Sequence, residues 1–117
     1  RARKIAFHLT GVTTFGGRAW VLLLRCYSRH FIITVQWDTR DVMRAAAKIL
    51  GTPEDAEAFT YTIRLGTDSR KLVFQSRPQN LRPEGNPDFF TVMGSVARSY
   101  GEDDSLTLFI SILKDEF

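Results

Sequence analysis

Phe59, Tyr61, Ile63 and Leu65 alternate with Thr60, Thr62 and Arg64. Side chains of an extended chain point alternately to opposite faces, so this run is a strand buried on one side and wet on the other. The pattern returns in Leu106, Leu108, Ile110 and Ile112, and again in Ile5, Phe7 and Leu9 against Lys4, Ala6, His8 and Thr10. Several one-sided strands must share a core, so the chain reads as an antiparallel β-sandwich or barrel and not as a helical or dinucleotide-binding enzyme.

The segments between these runs fit that reading. Trp20 to Tyr27 is apolar on both faces until Arg25, which predicts a central strand covered on both sides. His30 to Trp37 alternates Phe31, Ile33, Val35 and Trp37 against Ile32, Thr34 and Gln36, and Ser28-Arg29 would join the two runs as a hairpin. Residues 42–50 stay open between helix and strand, because Ala45-Ala46-Ala47 favours helix and the neighbouring pattern favours strand. Thr52-Pro53-Glu54-Asp55 carries a helix start: an N-cap threonine, proline at the first position and acids in the first turn. Gly66 to Ser69 predicts a hairpin turn, with Arg70 to Arg77 pairing back. Pro78 to Pro87 predicts a surface loop. Asp88 to Val92 predicts a short strand, and Met93 to Tyr100 a short helix ended by Gly101.

No reactive constellation emerges. His8 and His30 are the only histidines, and neither clusters with Cys26 or with carboxylates at metal-ligand spacing. Cys26 and His30 are four residues apart but lack an orienting third group. Cys26 sits in Trp20-Val-Leu-Leu-Leu-Arg-Cys26, as a small core residue does. One cysteine makes no internal disulfide, which points to a reducing compartment. The acidic groups Glu54, Asp55, Glu57 and Glu102, Asp103, Asp104 lack the spacing of a calcium loop and read as solvated turns. Gly11 to Gly17 has no phosphate-loop pattern.

The net charge of +3 is spread along the sequence over Arg25, Arg29, Arg40, Arg44, Arg64, Arg70, Lys71 and Arg77. That dispersal argues against nucleic-acid binding, and no apolar run approaches the ~20 residues of a membrane span. Binding remains. A sandwich has edge strands, which accept an extended peptide as an added strand. Trp20 and Phe109 are the candidate anchors, since large aromatics carry much of the energy at such sites. A core position is the competing reading for both, and the sequence leaves the exposure of Trp20 open; Phe109 shares its face with Thr107 and Ser111, opposite Leu108 and Ile110, which points to partial exposure.

Three stretches, Trp20 to Gln36, Ile49 to Pro78 and Asp88 to Ile112, resemble the C-terminal substrate-binding domain of the seven-in-absentia (Siah/Sina) proteins in order and spacing. The Gly51-Thr52, Ala56 and Phe59-x-Tyr61 string is the most specific part. Cys26 and His30-Phe31 also fall where that family has Cys and His-Phe. The resemblance implies a TRAF-like sandwich of about eight strands over residues 1–117, with 42–50 a strand. It implies a parent protein of the RING-type E3 ubiquitin-ligase class with zinc in modules upstream of this chain. The chain itself would be non-catalytic and without cofactor. It would recruit protein substrates or adaptors, while the ubiquitin-conjugating enzyme engages other domains.

The family binds a Val-x-Pro-type peptide at a sandwich edge. Carried onto this sequence, that site comprises Arg18, Ala19, Trp20, Leu22 and Phe109. The tryptophan is kept. Leu22 replaces a methionine, Ala19 an aspartate, Arg18 a valine and Phe109 an asparagine. A family strand preceding Lys4 would help form the same groove. Arg18 adds positive charge and so favours an acidic or differently shaped peptide. The resemblance further implies self-association, although the loop Arg82 to Pro87 is shorter than the family segment that contributes to that interface, and a cytoplasmic or nuclear location. A second reading is a TRAF-like scaffold or adaptor in a protein without ligase activity.

Overall fold

The computed structural model describes residues 2–14, 16–81 and 88–115. Nine strands and two short helices follow one another: β1 (Arg3–Thr10), β2 (Arg18–Cys26), β3 (Arg29–Trp37), β4 (Val42–Leu50), α1 (Pro53–Glu57), β5 (Phe59–Thr67), β6 (Arg70–Ser76), β7 (Gln79–Asn80), β8 (Phe90–Met93), α2 (Gly94–Arg98) and β9 (Ser105–Lys114). The strands form two sheets. One runs β1-β9-β5-β6 and is antiparallel throughout. The other runs β2-β3-β4, with the short strands β7 and β8 both pairing with β4. This is the β-sandwich that the alternating strands and the family resemblance predict.

The core lies between the sheets and is built from the alternating positions. Phe59, Tyr61, Ile63 and Leu65 of β5, and Leu106, Leu108, Ile110 and Ile112 of β9, are all buried. They face Phe31, Ile33, Val35 and Trp37 of β3. Phe31 and Phe59 meet edge to face across the sheets with centroids 5.2 Å apart, and Phe74 stacks on Phe90 at 5.5 Å. Such aromatic pairs add stabilisation beyond the area they bury.

Residues 42–50 are a strand. Met43, Ala45, Ala47 and Ile49 face the core while Arg44 and Lys48 are part-exposed on the other side. Pairing with β3 on one side and with β7 and β8 on the other overrides the intrinsic helix preference of three alanines. The helix start at Thr52 forms as a capping box. The Thr52 hydroxyl accepts the Asp55 amide, and the Asp55 carboxylate accepts the Thr52 amide.

Three sequence expectations need correction. β2 is not a covered central strand. It pairs with β3 alone among the described residues, and its outward Val21 and Leu23 are 62% and 73% exposed. A run apolar on both faces cannot distinguish a buried strand from an edge strand with an apolar outer surface. The β2–β3 turn is Tyr27-Ser28, one residue earlier than expected, with positive φ at both positions, the backbone of a tight hairpin. Tyr27 is drawn into the turn because its ring packs on Phe59 and its hydroxyl donates to the Ile112 carbonyl. The predicted 78–87 loop begins with β7, and residues 82–87 lie outside the described residues, as does the expectation of an interface there.

Candidate functional site

β1 and β2 are the edge strands at the same end of the two sheets, and they touch across the sandwich. Several of their inward side chains are therefore incompletely covered. Ile5 and Phe7 of β1, with Trp20 and Leu22 of β2, pack against the core yet remain part-exposed. Among the described residues each of these edges pairs on one side only, and the four part-exposed apolar side chains lie along their inward sides.

Trp20 is held on its inner side. It meets Trp37 edge to face, with centroids 6.4 Å apart and 70° between the planes. The Arg18 guanidinium lies 5.8 Å from the Trp20 ring and the Arg98 guanidinium 5.4 Å from the Trp37 ring. The two indoles thus sit between two cations. Trp37 is fixed in turn by Asp41, whose carboxylate accepts the indole N–H at 2.7 Å and both terminal nitrogens of Arg98 at 2.7 Å. The Arg98 guanidinium first, and the Trp37 N–H second, hold Asp41 well below the usual carboxylate range, at about 2. Asp41 has positive φ and closes the β3–β4 turn, where its carbonyl accepts the Gly94 amide that starts α2. A β-carbon at Gly94 would run into the Asp41 side chain.

The five residues singled out from sequence divide among three surfaces. Arg18, Trp20 and Leu22 share the inward side of β2 and are brought together. Ala19 points outward from the same strand. Phe109 lies on the outer face of the other sheet, opposite Ala6 of β1 and Arg64 of β5, with the Arg64 guanidinium 4.5 Å from its ring. Around it is a depression of 420 Å³ lined by Lys4, Ala6, Thr62, Arg64, Val73 and Ser111. The β1 edge thus runs between part-exposed Trp20 and Leu22 on its inward side and the Phe109 depression on its outward side. The sequence reading overlooked Ile5, Phe7 and Ala6. Their alternation was visible, but nothing local shows that β1 lies beside β2, since sheet order is a long-range property.

The remaining polar groups are occupied with structure. Cys26 faces inward while His30 faces outward opposite Arg25, so they lie on opposite faces of the hairpin. Burial raises the Cys26 thiol above its ordinary value, the opposite of what a nucleophile needs. His8 bonds the Thr107 hydroxyl at 2.8 Å. Asp55 pairs with Arg29 at 3.1 Å, and Asp104 accepts the Thr13 amide at 2.8 Å. No group of three or more His, Cys, Asp or Glu side chains among the described residues could hold a metal ion. No helix among them is long and apolar enough to cross a membrane.

Residues 24–111 match the family model described as the Sina, TRAF-like domain. The chain belongs to the Sina TRAF-like domain family. The relatives of this Sina TRAF-like domain include the probable E3 ubiquitin-protein ligase sinah of Drosophila melanogaster, 28% identical over 96% of this chain and 34% of that protein. The E3 ubiquitin-protein ligase sina of the same species is 24% identical over 96% of this chain and 38% of its own length. The Sina TRAF-like domain studied here thus spans about a third of the length of the curated relatives it matches. The matched segment starts within β2 and includes Phe109 but not Arg18, Ala19, Trp20 or Leu22.

Proposed function

We propose that this chain is the substrate- or adaptor-recruiting domain of a Siah-like RING E3 ubiquitin ligase, and that it captures an extended peptide at the β1 edge. The observation that carries this reading is the meeting of two edge strands over half-buried Ile5, Phe7, Trp20 and Leu22. A strand added to β1 would gain main-chain hydrogen bonds. Its inward residues would complete the burial of Trp20 and Leu22, and its outward residues would flank Ala6 in front of Phe109. Arg18, Trp20, Leu22 and Phe109 would then serve one ligand from two sides of one strand, while Ala19 faces away from it. Ligase membership rests on the names of the relatives, with zinc and the conjugating enzyme assigned to other domains. A cytoplasmic or nuclear location, a single domain over residues 1–117 and self-association belong to the same proposal.

The test is binding of a labelled Val-x-Pro peptide, with Trp20→Ala as control. Saturable binding lost in the variant supports the reading. Equal binding by both proteins, or none by the folded wild type, contradicts it.

A further inference from the structure

A subset of the cations dispersed along the sequence meets on one outer face of the sandwich. The outward positions of the β1-β9-β5-β6 sheet carry Lys4 from β1, Arg64 from β5 and Lys71 from β6. No Asp or Glu occupies an outward position in these four strands. Elsewhere Arg29, Arg44, Arg77 and Arg98 are each paired with an aspartate. Among the described residues Arg64 has no carboxylate partner, and its buried Nε meets no acceptor. Its guanidinium is laid over Phe109, which moves the charge from β5 toward β1. Ala6, opposite Phe109, is small and leaves the depression open on the β1 side.

We propose that this depression receives an acidic side chain, a carboxylate or a phosphate, from the peptide laid along β1. The inference rests on the edge-binding reading and adds the charge of the ligand to it. Strands lie about 4.8 Å apart, so an added strand would stand about 15 Å from the β5 backbone. The lean of Arg64 over Phe109 removes about one strand spacing from that distance. A glutamate side chain reaches about 5 Å, so Lys4 on the neighbouring β1 is its direct partner, and Arg64 over Phe109 adds positive charge at longer range across Ala6. The acidic residue must sit at an outward position, alternating with the residues that face Trp20.

The experiment is selection on this protein from an immobilised library of Val-x-Pro peptides carrying glutamate, phosphoserine or glutamine at each flanking position. The proposal expects glutamate to be enriched over glutamine by up to about fivefold at positions spaced by two, at low salt. Phosphoserine should be enriched at least as strongly, because it carries more charge. Lys4→Gln, at an exposed site that leaves the core untouched, and Arg64→Gln should each flatten the enrichment while the peptides still bind. Binding without acidic enrichment, or enrichment unchanged in both variants, overturns this inference and leaves edge binding standing. Loss of all peptide binding by folded wild type overturns both. Tighter retention of a labelled oligonucleotide than of any acidic peptide also overturns it.

Discussion

Trp20, at the edge of the sandwich, rests edge to face on Trp37, which is buried, with 6.4 Å between centroids. The contact joins Trp20 to the Asp41–Arg98 pair that holds the Trp37 N–H. It gives Trp20 one supported face and leaves the other part-exposed.

Trp20→Ala should therefore act on binding more than on folding. A central aromatic at a peptide site costs ~2 kcal/mol or more when truncated, roughly a thirtyfold weakening. Part of its surface is already wet, so the loss of stability should be smaller than the ~3–5 kcal/mol typical of a fully buried tryptophan. Titration of the labelled peptide and urea denaturation of the same two proteins compare the effects. A variant that unfolds at room temperature would make Trp20 a core residue.

Asp41 gives a pH dependence with a definite sign. Its folded value, about 2, lies below the ordinary value of 3.8. Its contribution is complete above about pH 4 and is lost as pH falls through 2. The carboxylate is half exposed, so solvent screening limits the contribution to about 1 kcal/mol or less. Asp41→Asn keeps a residue that tolerates positive φ. Urea midpoints from pH 6 to pH 2.5 should converge for the two proteins toward the acid end. A constant separation would show that charge at Asp41 does not matter.

Gly94→Ala should destabilise by ~1–3 kcal/mol, since the added methyl must displace the Asp41 side chain or backbone. A thermal melt should show a midpoint lower by several degrees. If the displaced carboxylate lets go of Trp37, the Trp20 peptide affinity falls as well. An unchanged melt would mean the β3–β4 turn and α2 are not packed as described.

Leu23→Lys and Val21→Lys test the position of β2. On an exposed outer surface each should change stability by only about 0.5 kcal/mol or less. A covered central strand would lose several kcal/mol on accepting a lysine. Denaturant midpoints separate these outcomes without a ligand.

Local chemistry made most strands legible. Phe59 to Leu65 and Leu106 to Ile112 announced their buried faces by alternation alone, and Thr52-Pro53 announced α1 by its cap. The alanines at 45–47 were ambiguous because a small residue suits either structure, and only the pairing with β3 decides. The doubly apolar Val21 and Leu23 misled for a related reason: hydrophobicity reports a preference for burial, not whether anything covers the residue. Part of the candidate site was legible as Arg18, Trp20, Leu22 and Phe109. The rest, Ile5, Phe7 and the contact of Arg64 with Phe109, depends on which strands become neighbours. Arg64 and Phe109 are paired across β5 and β9 from distant parts of the chain, so no spacing in the sequence marks them.

The central claim is that an extended peptide adds to β1 beside Trp20. Amide hydrogen exchange, followed residue by residue with and without the Val-x-Pro peptide, tests it most directly. Added protection should concentrate in Arg3–Thr10, with smaller changes around Trp20 and Leu22, and should vanish in Trp20→Ala. Saturable binding that protects β6 or the outer surface of β2, and leaves β1 exchanging as before, would contradict the account.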